Sequence, residues 1–318
     1  MKKICIFLLS ILLLTIPASC QSAPAAKPDE RLQVITTIYP VYDFATKVGG
    51  DSVNVTSIIP AGAEPHDWEP TPSDIIKIQE ADVFIYNGAG MEFWVDSVLT
   101  SVSSESLIIV NASDTLTLRP ASASGEEHDE SEADVEDEHE HGAYDPHVWL
   151  DPLNAKEQMH VIMDAFVQAD PDNKINYETN FQTYATAFDQ LDKEYSDAIT
   201  PLSDKNIVVA HEAYGYLCDR YGLSQIPIEG ISADSEPDAA RMADIIDFVN
   251  ENKVRVIFSE ELLSPRVAEA IASETGASTD VLNPIGGLTE KQLQDGEDYF
   301  SIMRKNLKAL VRALSPEV

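Results

Sequence analysis

Segments that favour β-strands alternate with segments that favour α-helices along most of this 318-residue chain, and this alternation constrains the fold more than any other feature. The β-type segments are rich in Val and Ile, as in residues 33–38 and 205–210. The intervening segments carry apolar residues at helical spacing, as in Val41–Val48, which is followed by the helix-ending pair Gly49 and Gly50. Strands that alternate with helices form mostly parallel sheets with helices on their faces. The sequence therefore predicts an α/β fold.

A long helical stretch interrupts the alternation and divides it into two halves. Residues 154–200 carry a helical pattern that is broken only at Asp170–Asp172. The part after this break is about 25 residues long without Gly or Pro, which corresponds to a helix of about 37 Å. A helix of this length can bridge two lobes. We therefore predict a first α/β lobe over residues 32–153, a linking helical segment over 154–203 and a second α/β lobe over 204–318.

An acidic insertion interrupts the first lobe at residues 120–143. Residues 126–141 hold ten acidic residues and three histidines, His128, His139 and His141. Such a segment cannot bury enough apolar surface to offset the entropy lost on ordering, so we predict a disordered surface loop. Two interpretations of the loop remain open. Its histidines could collect metal ions weakly near a binding site, or it could be a solvated insertion that keeps the protein soluble.

The first nineteen residues have the pattern of a secretory signal peptide. Two lysines precede the apolar residues 4–16, a run shorter than the roughly 20 residues that a membrane-spanning helix needs. Cys20 follows two small residues, as in a bacterial lipobox, whose cysteine is lipidated; Pro17 departs from the usual apolar residue of that pattern. We predict cleavage before Cys20 and a lipid-anchored tether over residues 20–31. The protein would then lie on the outer face of the cell membrane, or in the periplasm of a Gram-negative cell.

The charge and the cysteines restrict the function further. A formal net charge of −34 excludes a nucleic-acid-binding protein, because that class needs a basic face, whereas an acidic surface attracts cations. Of the three cysteines, Cys5 falls in the signal peptide and Cys20 at the lipidation site, which leaves Cys218 alone. We therefore predict no internal disulfide, and stability must come from packing.

Three of the seven histidines occupy positions that suit metal ligands. His211 directly follows a buried strand, and His66 lies in the loop after another strand, so both fall at carboxyl ends, where ligands bind in parallel sheets. His147 lies between two Asp-Pro steps, whose prolines restrict the backbone. We predict that His66, His147 and His211 converge in a cleft between the lobes. His160, on a helix, is interpreted as a packing residue.

Three neutral imidazoles favour Zn²⁺ or another late divalent ion over Mn²⁺ or Ca²⁺, which prefer oxygen ligands. The identity of the fourth ligand is not decided by the sequence, and the candidates are water, Glu64 and Asp280. Acceptors for the second nitrogen of each imidazole are expected at Asp67, Asp145 or Glu212.

The mature chain resembles the zinc-type solute-binding lipoproteins of bacterial ABC importers, the cluster A-I family of the ZnuA/AdcA kind. Four motifs carry the resemblance, in the order and spacing of the family: Thr36–Pro40, Gly62–Pro70, Asp145–Pro152 and His211–Tyr214. The resemblance implies two lobes joined by a rigid helix, with His66, His147 and His211 as zinc ligands. It also implies a monomer that delivers zinc to a membrane permease driven by a cytosolic ATPase.

One region departs from the family pattern. Residues 281–287 carry no carboxylate, whereas manganese-type relatives have an Asp and some zinc members a Glu there. The missing Asp argues against manganese, although a manganese- or iron-binding member of the same family remains the main alternative.

A surface adhesin and a zinc hydrolase are the alternatives from other functional classes. For a hydrolase the chain lacks a His-Glu-x-x-His motif, and Glu212 is the one acid placed to act as a base. We therefore predict a binding protein and not an enzyme.

Overall fold

The computed structural model describes residues 31–104, 106–121, 143–231 and 237–316. The predicted signal peptide, Cys20, most of the tether and nearly all of the acidic insertion, including His128, His139 and His141, lie outside these residues. In the described part the strands are β1 Leu32–Thr36, β2 Val53–Ser57, β3 Val83–Tyr86, β4 Ile108–Asn111, β5 Asn206–His211, β6 Ser224–Glu229, β7 Val256–Ser259 and β8 Ser278–Val281. The helices are α1 Tyr39–Gly49, α2 Pro72–Glu80, α3 Val95–Ser101, α4 Pro152–Ala169, α5 Lys174–Ile199, α6 Gly215–Tyr221, α7 Ala239–Asn252, α8 Arg266–Thr275, α9 Glu290–Gln294 and α10 Tyr299–Leu314.

The strands form two four-stranded sheets with the same topology. Their orders are β2-β1-β3-β4 and β6-β5-β7-β8, and every pairing is parallel. In each sheet the first strand in the chain lies centrally, beside the second and third strands. The two sheets with their flanking helices confirm the predicted α/β fold. Since all strands of a sheet point the same way, the loops that follow them emerge at a common edge.

Helix α5 lies between the two halves and packs against helices from both. It has 26 residues without Gly or Pro. Its Phe188 ring lies 5.6 Å from Phe44 of α1 and 4.7 Å from Phe300 of α10, measured between ring centroids. The fully buried Tyr195 of the same helix donates a hydrogen bond to the Met303 carbonyl oxygen at 2.6 Å. A continuous aromatic core therefore joins the long helix to both halves.

Helix α4, which the sequence places in the linking segment, packs against α1 and the edge of the first sheet. Asp151 caps its first turn by accepting a hydrogen bond from Leu153 N at 2.9 Å. The same carboxylate binds Arg220 of α6 at 2.7 Å, which ties the helix to the second half. Helix α4 therefore packs on the first half and is joined by this ion pair to the second.

Two short helices have identifiable local causes. Helix α3 begins only at Val95, because the buried Glu92 carboxylate accepts hydrogen bonds from the backbone of Asn87 and Gly88 and holds residues 87–92 in a turn. Helix α9 is too short to show an apolar periodicity. Its capping box, formed by Thr289 and Gln292, is the local signal that favours it.

The described part of the chain contains one free cysteine, Cys218, and it is buried. Burial raises the pKa of its thiol to about 12. Cys218 packs in the hydrophobic core and forms no disulfide within the described residues. A search of the described helices finds none with the length and apolarity needed to cross a bilayer.

We expect Asp298→Ala to lower the free energy of unfolding by about 1 kcal/mol, because Asp298 caps the first turn of α10. Its Oδ1 accepts from Ser301 N at 2.8 Å, and Lys47 lies 3.1 Å from its Oδ2. Burial opposes ionisation, but these two partners hold the pKa of Asp298 below its usual value. The contribution is therefore present above the unfolded pKa near 4 and is lost as pH falls through the lower folded pKa.

Urea titrations of both proteins at neutral pH and in acid would measure this difference. Asp295→Ala, which removes an exposed acid paired with Lys291, is the matched control. An Asp298→Ala difference that persisted undiminished in acid would contradict the assignment.

Candidate metal centre

Three histidines reach the same point from different parts of the fold. His211 is the last residue of β5, and His66 lies in the loop that follows β2. His147 directly precedes a 3-10 turn, Val148–Leu150, that leads into α4. The first two thus occupy carboxyl ends of parallel strands, one in each sheet. The structure places the three predicted ligand residues together.

The imidazole nitrogens of this cluster are close enough to share one ion. His66 Nε2 lies 3.1 Å from His147 Nε2, and His211 Nε2 lies 3.3 Å from the same atom. One nitrogen from each of the three side chains lies within 4.8 Å of the others. His147 and His211 are nearly inaccessible, with 1% and 3% of their surface exposed, whereas His66 is half-buried. The opening of the site therefore lies on the His66 side.

The second ring nitrogen of His147 faces the Asp145 carboxylate. Oδ1 of Asp145 lies 3.0 Å from His147 Nδ1 and also accepts a hydrogen bond from His147 N at 3.0 Å. Burial raises the pKa of Asp145 to about 6, so this carboxylate is ionised at neutral pH. An acceptor at Nδ1 keeps the proton on that nitrogen and leaves the Nε2 lone pair directed into the site.

His211 has the same arrangement with a different acid. Oε1 of Glu260 lies 2.6 Å from His211 Nδ1, and both side chains are buried. The sequence suggested Glu212, but Glu260 occupies this position because it follows β7, the strand beside β5 in the second sheet. Its place at the carboxyl end of a strand, like that of His211, is the signal that could have identified it.

The protonation preferences of the three imidazoles differ. Burial lowers the pKa of His66 and of His147 well below the usual value, and the neighbouring imidazoles add to the effect. Burial also disfavours the charged form of His211, but the Glu260 carboxylate outweighs it and raises the pKa of that imidazole. The site thus holds two imidazoles neutral and balances a positive charge beside the third.

This geometry suits a tetrahedral metal ion. Zinc–nitrogen bonds of about 2.0–2.1 Å place two ligand nitrogens of a tetrahedron about 3.3–3.4 Å apart. The Nε2 separations of 3.1 and 3.3 Å from His147 agree with that spacing. Because Asp145 and Glu260 hold protons on the two Nδ1 atoms, the facing Nε2 lone pairs repel each other unless a proton or a metal cation lies between them.

A small cavity lies beside the cluster. Glu64 lines it, and burial raises the pKa of that carboxyl group. Its Oε1 accepts a long hydrogen bond, 3.4 Å, from His66 N. Asp280, the other carboxylate considered from the sequence, does not line the cavity and instead binds Arg312 of α10 at 2.6 Å. Asp67 is exposed and does not line it either.

A buried polar network supports the His147 segment from the first sheet. Asn87, which follows β3, donates a hydrogen bond from Nδ2 to the Pro146 carbonyl oxygen at 3.0 Å. The side chain of Gln158 on α4 donates in turn to Asn87 Oδ1 at 2.9 Å. All the side chains in this chain of contacts are buried. The position of His147 is therefore fixed by the sheet as well as by its own prolines.

His160 lies apart from this site, on α4. Its ring stacks on Phe181 of α5 with centroids 5.1 Å apart, and its side chain is 44% exposed. This is the packing role expected from the sequence.

Comparisons with known proteins point to one family. A family model described as ZnuA, the zinc-uptake complex component A periplasmic, matches residues 34–313. The chain is 39% identical over 317 residues to the zinc-binding lipoprotein AdcA of Streptococcus pneumoniae, a match that covers 100% of this chain and 62% of AdcA. It is 41% identical over 312 residues to the high-affinity zinc uptake system protein ZnuA of Bacillus subtilis, covering 97% of each.

A solved structure shows the same fold. The Zn(II)-bound ZnuA-like domain of Streptococcus pneumoniae AdcA superposes with a TM-score of 0.76 at 37% identity, covering 90% of this chain and 100% of that domain. The chain thus corresponds to the ZnuA-like part of AdcA and to nearly the whole of the Bacillus protein.

We expect Glu260→Ala to weaken metal binding by about 10- to 100-fold, because removing the acceptor at His211 Nδ1 frees the ring and lowers its basicity. Glu212→Ala is the matched control, since it removes a neighbouring acid that does not occupy the Nδ1 position. Isothermal titration with a divalent ion would compare the two affinities. An equal loss in both variants would contradict the assignment to Glu260.

Proposed function

The chain belongs to the ZnuA family of zinc-uptake components, and from this premise we propose that it captures Zn²⁺ at His66, His147 and His211. It would then deliver the ion to an ABC-type permease for uptake. The family consists of solute-binding proteins, and the named relatives are zinc-binding or zinc-uptake proteins. Because the AdcA match covers 62% of that protein, this proposal concerns the ZnuA-like unit.

One observation carries the proposal: the Nε2 atoms of the buried His147 and His211 and of the half-buried His66 meet around His147, at separations that fit the edges of a zinc tetrahedron. Nitrogens brought together in this way need a proton or a metal cation between them. A zinc ion bound by all three imidazoles meets this requirement of the fold. Water or Glu64 would complete the coordination.

The ligand set favours zinc over manganese. Imidazole nitrogen suits zinc and other late divalent ions, whereas manganese prefers carboxylate oxygen. The two acids nearest the cluster, Asp145 and Glu260, bind Nδ1 atoms and are directed away from the shared position. Glu64 and Glu261 also line the cavity, and Glu64 is the one whose carboxylate contacts the His66 backbone. A manganese- or iron-binding role is therefore the weaker alternative.

We place the protein outside the cytoplasm, anchored by a lipid on Cys20, with residues 20–31 as a tether and with the two lobes and linking segment predicted above. The family description as periplasmic and the lipoprotein relative support this location. In this setting the protein would act as a monomer that meets the permease, which a cytosolic ATPase drives. The acids next to the cluster hold imidazoles in place, an arrangement that serves binding more directly than hydrolysis.

Replacing any one of His66, His147 or His211 by Ala should weaken zinc binding at least about 100-fold, because two imidazoles cannot complete the tetrahedral site. His160→Ala, which removes the exposed histidine of α4, should retain the affinity of the unaltered protein. Competition against a zinc chelator of known affinity would measure all four variants. Tight binding that survives in the three site variants would show that the site lies elsewhere.

The protein should also bind zinc much more tightly than manganese, with one tight site per chain. A variant with His128, His139 and His141 replaced by Ala should keep that tight site, because the cleft supplies its three imidazoles. Competitive titration of both metals against both proteins tests this. Loss of tight zinc binding in the loop variant, or a preference for manganese, would overturn the proposal.

A further inference from the structure

The segment Leu282–Leu288, which follows β8, contacts each of the three chain segments that carry the histidines. We call it the crossing segment. Its sequence, Leu-Asn-Pro-Ile-Gly-Gly-Leu, contains no histidine or carboxylate that could bind the ion. Its contacts run mainly through backbone carbonyl oxygens. The crossing segment therefore supports the site by its position and supplies no side-chain ligand.

The first contact is with the loop that carries His66. Gly62 N, in that loop, donates a hydrogen bond to the Leu288 carbonyl oxygen at 3.0 Å. A Cβ on Gly287 would lie 3.2 Å from the Ala63 carbonyl oxygen, so the two backbones lie against each other. The absence of a side chain at residue 287 permits this close approach.

The second contact is with the segment that carries His147. Nε1 of Trp149 donates a hydrogen bond to the Pro284 carbonyl oxygen at 2.7 Å, and the indole is fully buried. The Trp149 ring also packs on His147, with centroids 5.4 Å apart. A shift of the crossing segment would therefore move the indole that supports this imidazole.

The third contact is with the turn that follows His211. The hydroxyl of Tyr214 donates to the Leu282 carbonyl oxygen at 2.6 Å, and Tyr214 has no exposed surface. Leu282 N donates at the same time to the Ser259 carbonyl oxygen, directly before Glu260. The crossing segment is thus joined both to the His211 turn and to the strand end that supplies the Nδ1 partner of His211.

The crossing segment is itself held by α10. Asn306, 2% exposed, accepts a hydrogen bond from Asn283 N at 3.0 Å and donates one to the Asn283 carbonyl oxygen at 2.6 Å. Asn283 Oδ1 accepts from Ile285 N at 2.7 Å. Ile285 has a φ of 63°, a left-handed conformation that is unfavourable for a β-branched residue and persists only where its surroundings enforce it.

We propose that the crossing segment, anchored by Asn306 and Tyr214, positions the three histidines relative to one another and thereby sets how long the metal ion stays bound. This inference rests on the proposed zinc-binding function. Each histidine segment has its own local support, but the crossing segment is joined to all three. Loosening it would let the imidazoles move apart without removing a ligand, so it should change the dissociation of the ion and the geometry around it.

Tyr214→Phe and Asn306→Asp test the proposal with small changes. The first removes one hydroxyl donor to Leu282; the second keeps an acceptor for Asn283 N but removes the donor to the Asn283 carbonyl. Tyr177→Phe is the matched control, because it also removes the hydroxyl donor of a fully buried tyrosine, in this case to Asp170 Oδ2 at 2.9 Å, outside α10 and the crossing segment. Zinc release into excess chelator and the visible spectrum of the Co²⁺-loaded protein are measured for the full chain.

We expect Tyr214→Phe and Asn306→Asp to raise the zinc dissociation rate by about fivefold, the effect of losing one typical hydrogen bond. Their Co²⁺ spectra should shift, while Tyr177→Phe should match the unaltered protein in both measurements. If either crossing-segment variant released zinc no faster than Tyr177→Phe with an unshifted spectrum, the positioning role would be overturned. If the unaltered protein itself failed to bind zinc, the result would contradict the proposed zinc-binding function and not the positioning role.

Discussion

The convergence of three imidazole side chains, two of them buried, is the constraint on which the rest of the structure depends. Asp145 and Glu260 bind the outer nitrogens of His147 and His211, so the inner nitrogens of these rings face each other and need a proton or a metal cation between them. Holding these polar nitrogens close together in a buried site is electrostatically unfavourable, so a stiff framework is needed to keep them in place. The two parallel sheets supply that framework, because their strand ends deliver His66 and His211 at defined edges, while the Asn87 and Gln158 amides fix the segment before His147.

The long helix α5 explains how histidines from separate halves of the chain keep a separation of a few ångströms. Its buried aromatic side chains pack on α1 and α10 at once. A continuous helix with this packing bends less readily than a pair of extended hinge strands. Helix α10 also carries Asn306, which anchors the crossing segment. The core that stabilises the fold therefore also holds the residues around the site in place.

Much of this arrangement could be read from the sequence because the signals are local. The alternation of strand and helix patterns predicts the α/β fold, and strand ends or flanking prolines mark His66, His147 and His211. Glu260 was missed because its approach to His211 depends on β7 lying beside β5, and no local pattern states which strands are neighbours. Asp280 was considered a ligand because of its sequence position, but an ion pair with Arg312 directs its carboxylate to the surface of α10.

The crossing segment could not be recognised in the sequence for a related reason. Its residues carry no reactive group, and what matters is where their carbonyl oxygens lie. Lacking a carboxylate, the segment contributes no charge to the centre, which stays rich in nitrogen and so favours zinc over manganese. Its hydrogen bonds to Trp149 and Tyr214 instead hold the surrounding backbone. The imidazoles would then set the selectivity for the metal, and the backbone around them would set the lifetime of the bound ion. Each of these two properties could therefore change in evolution without the other.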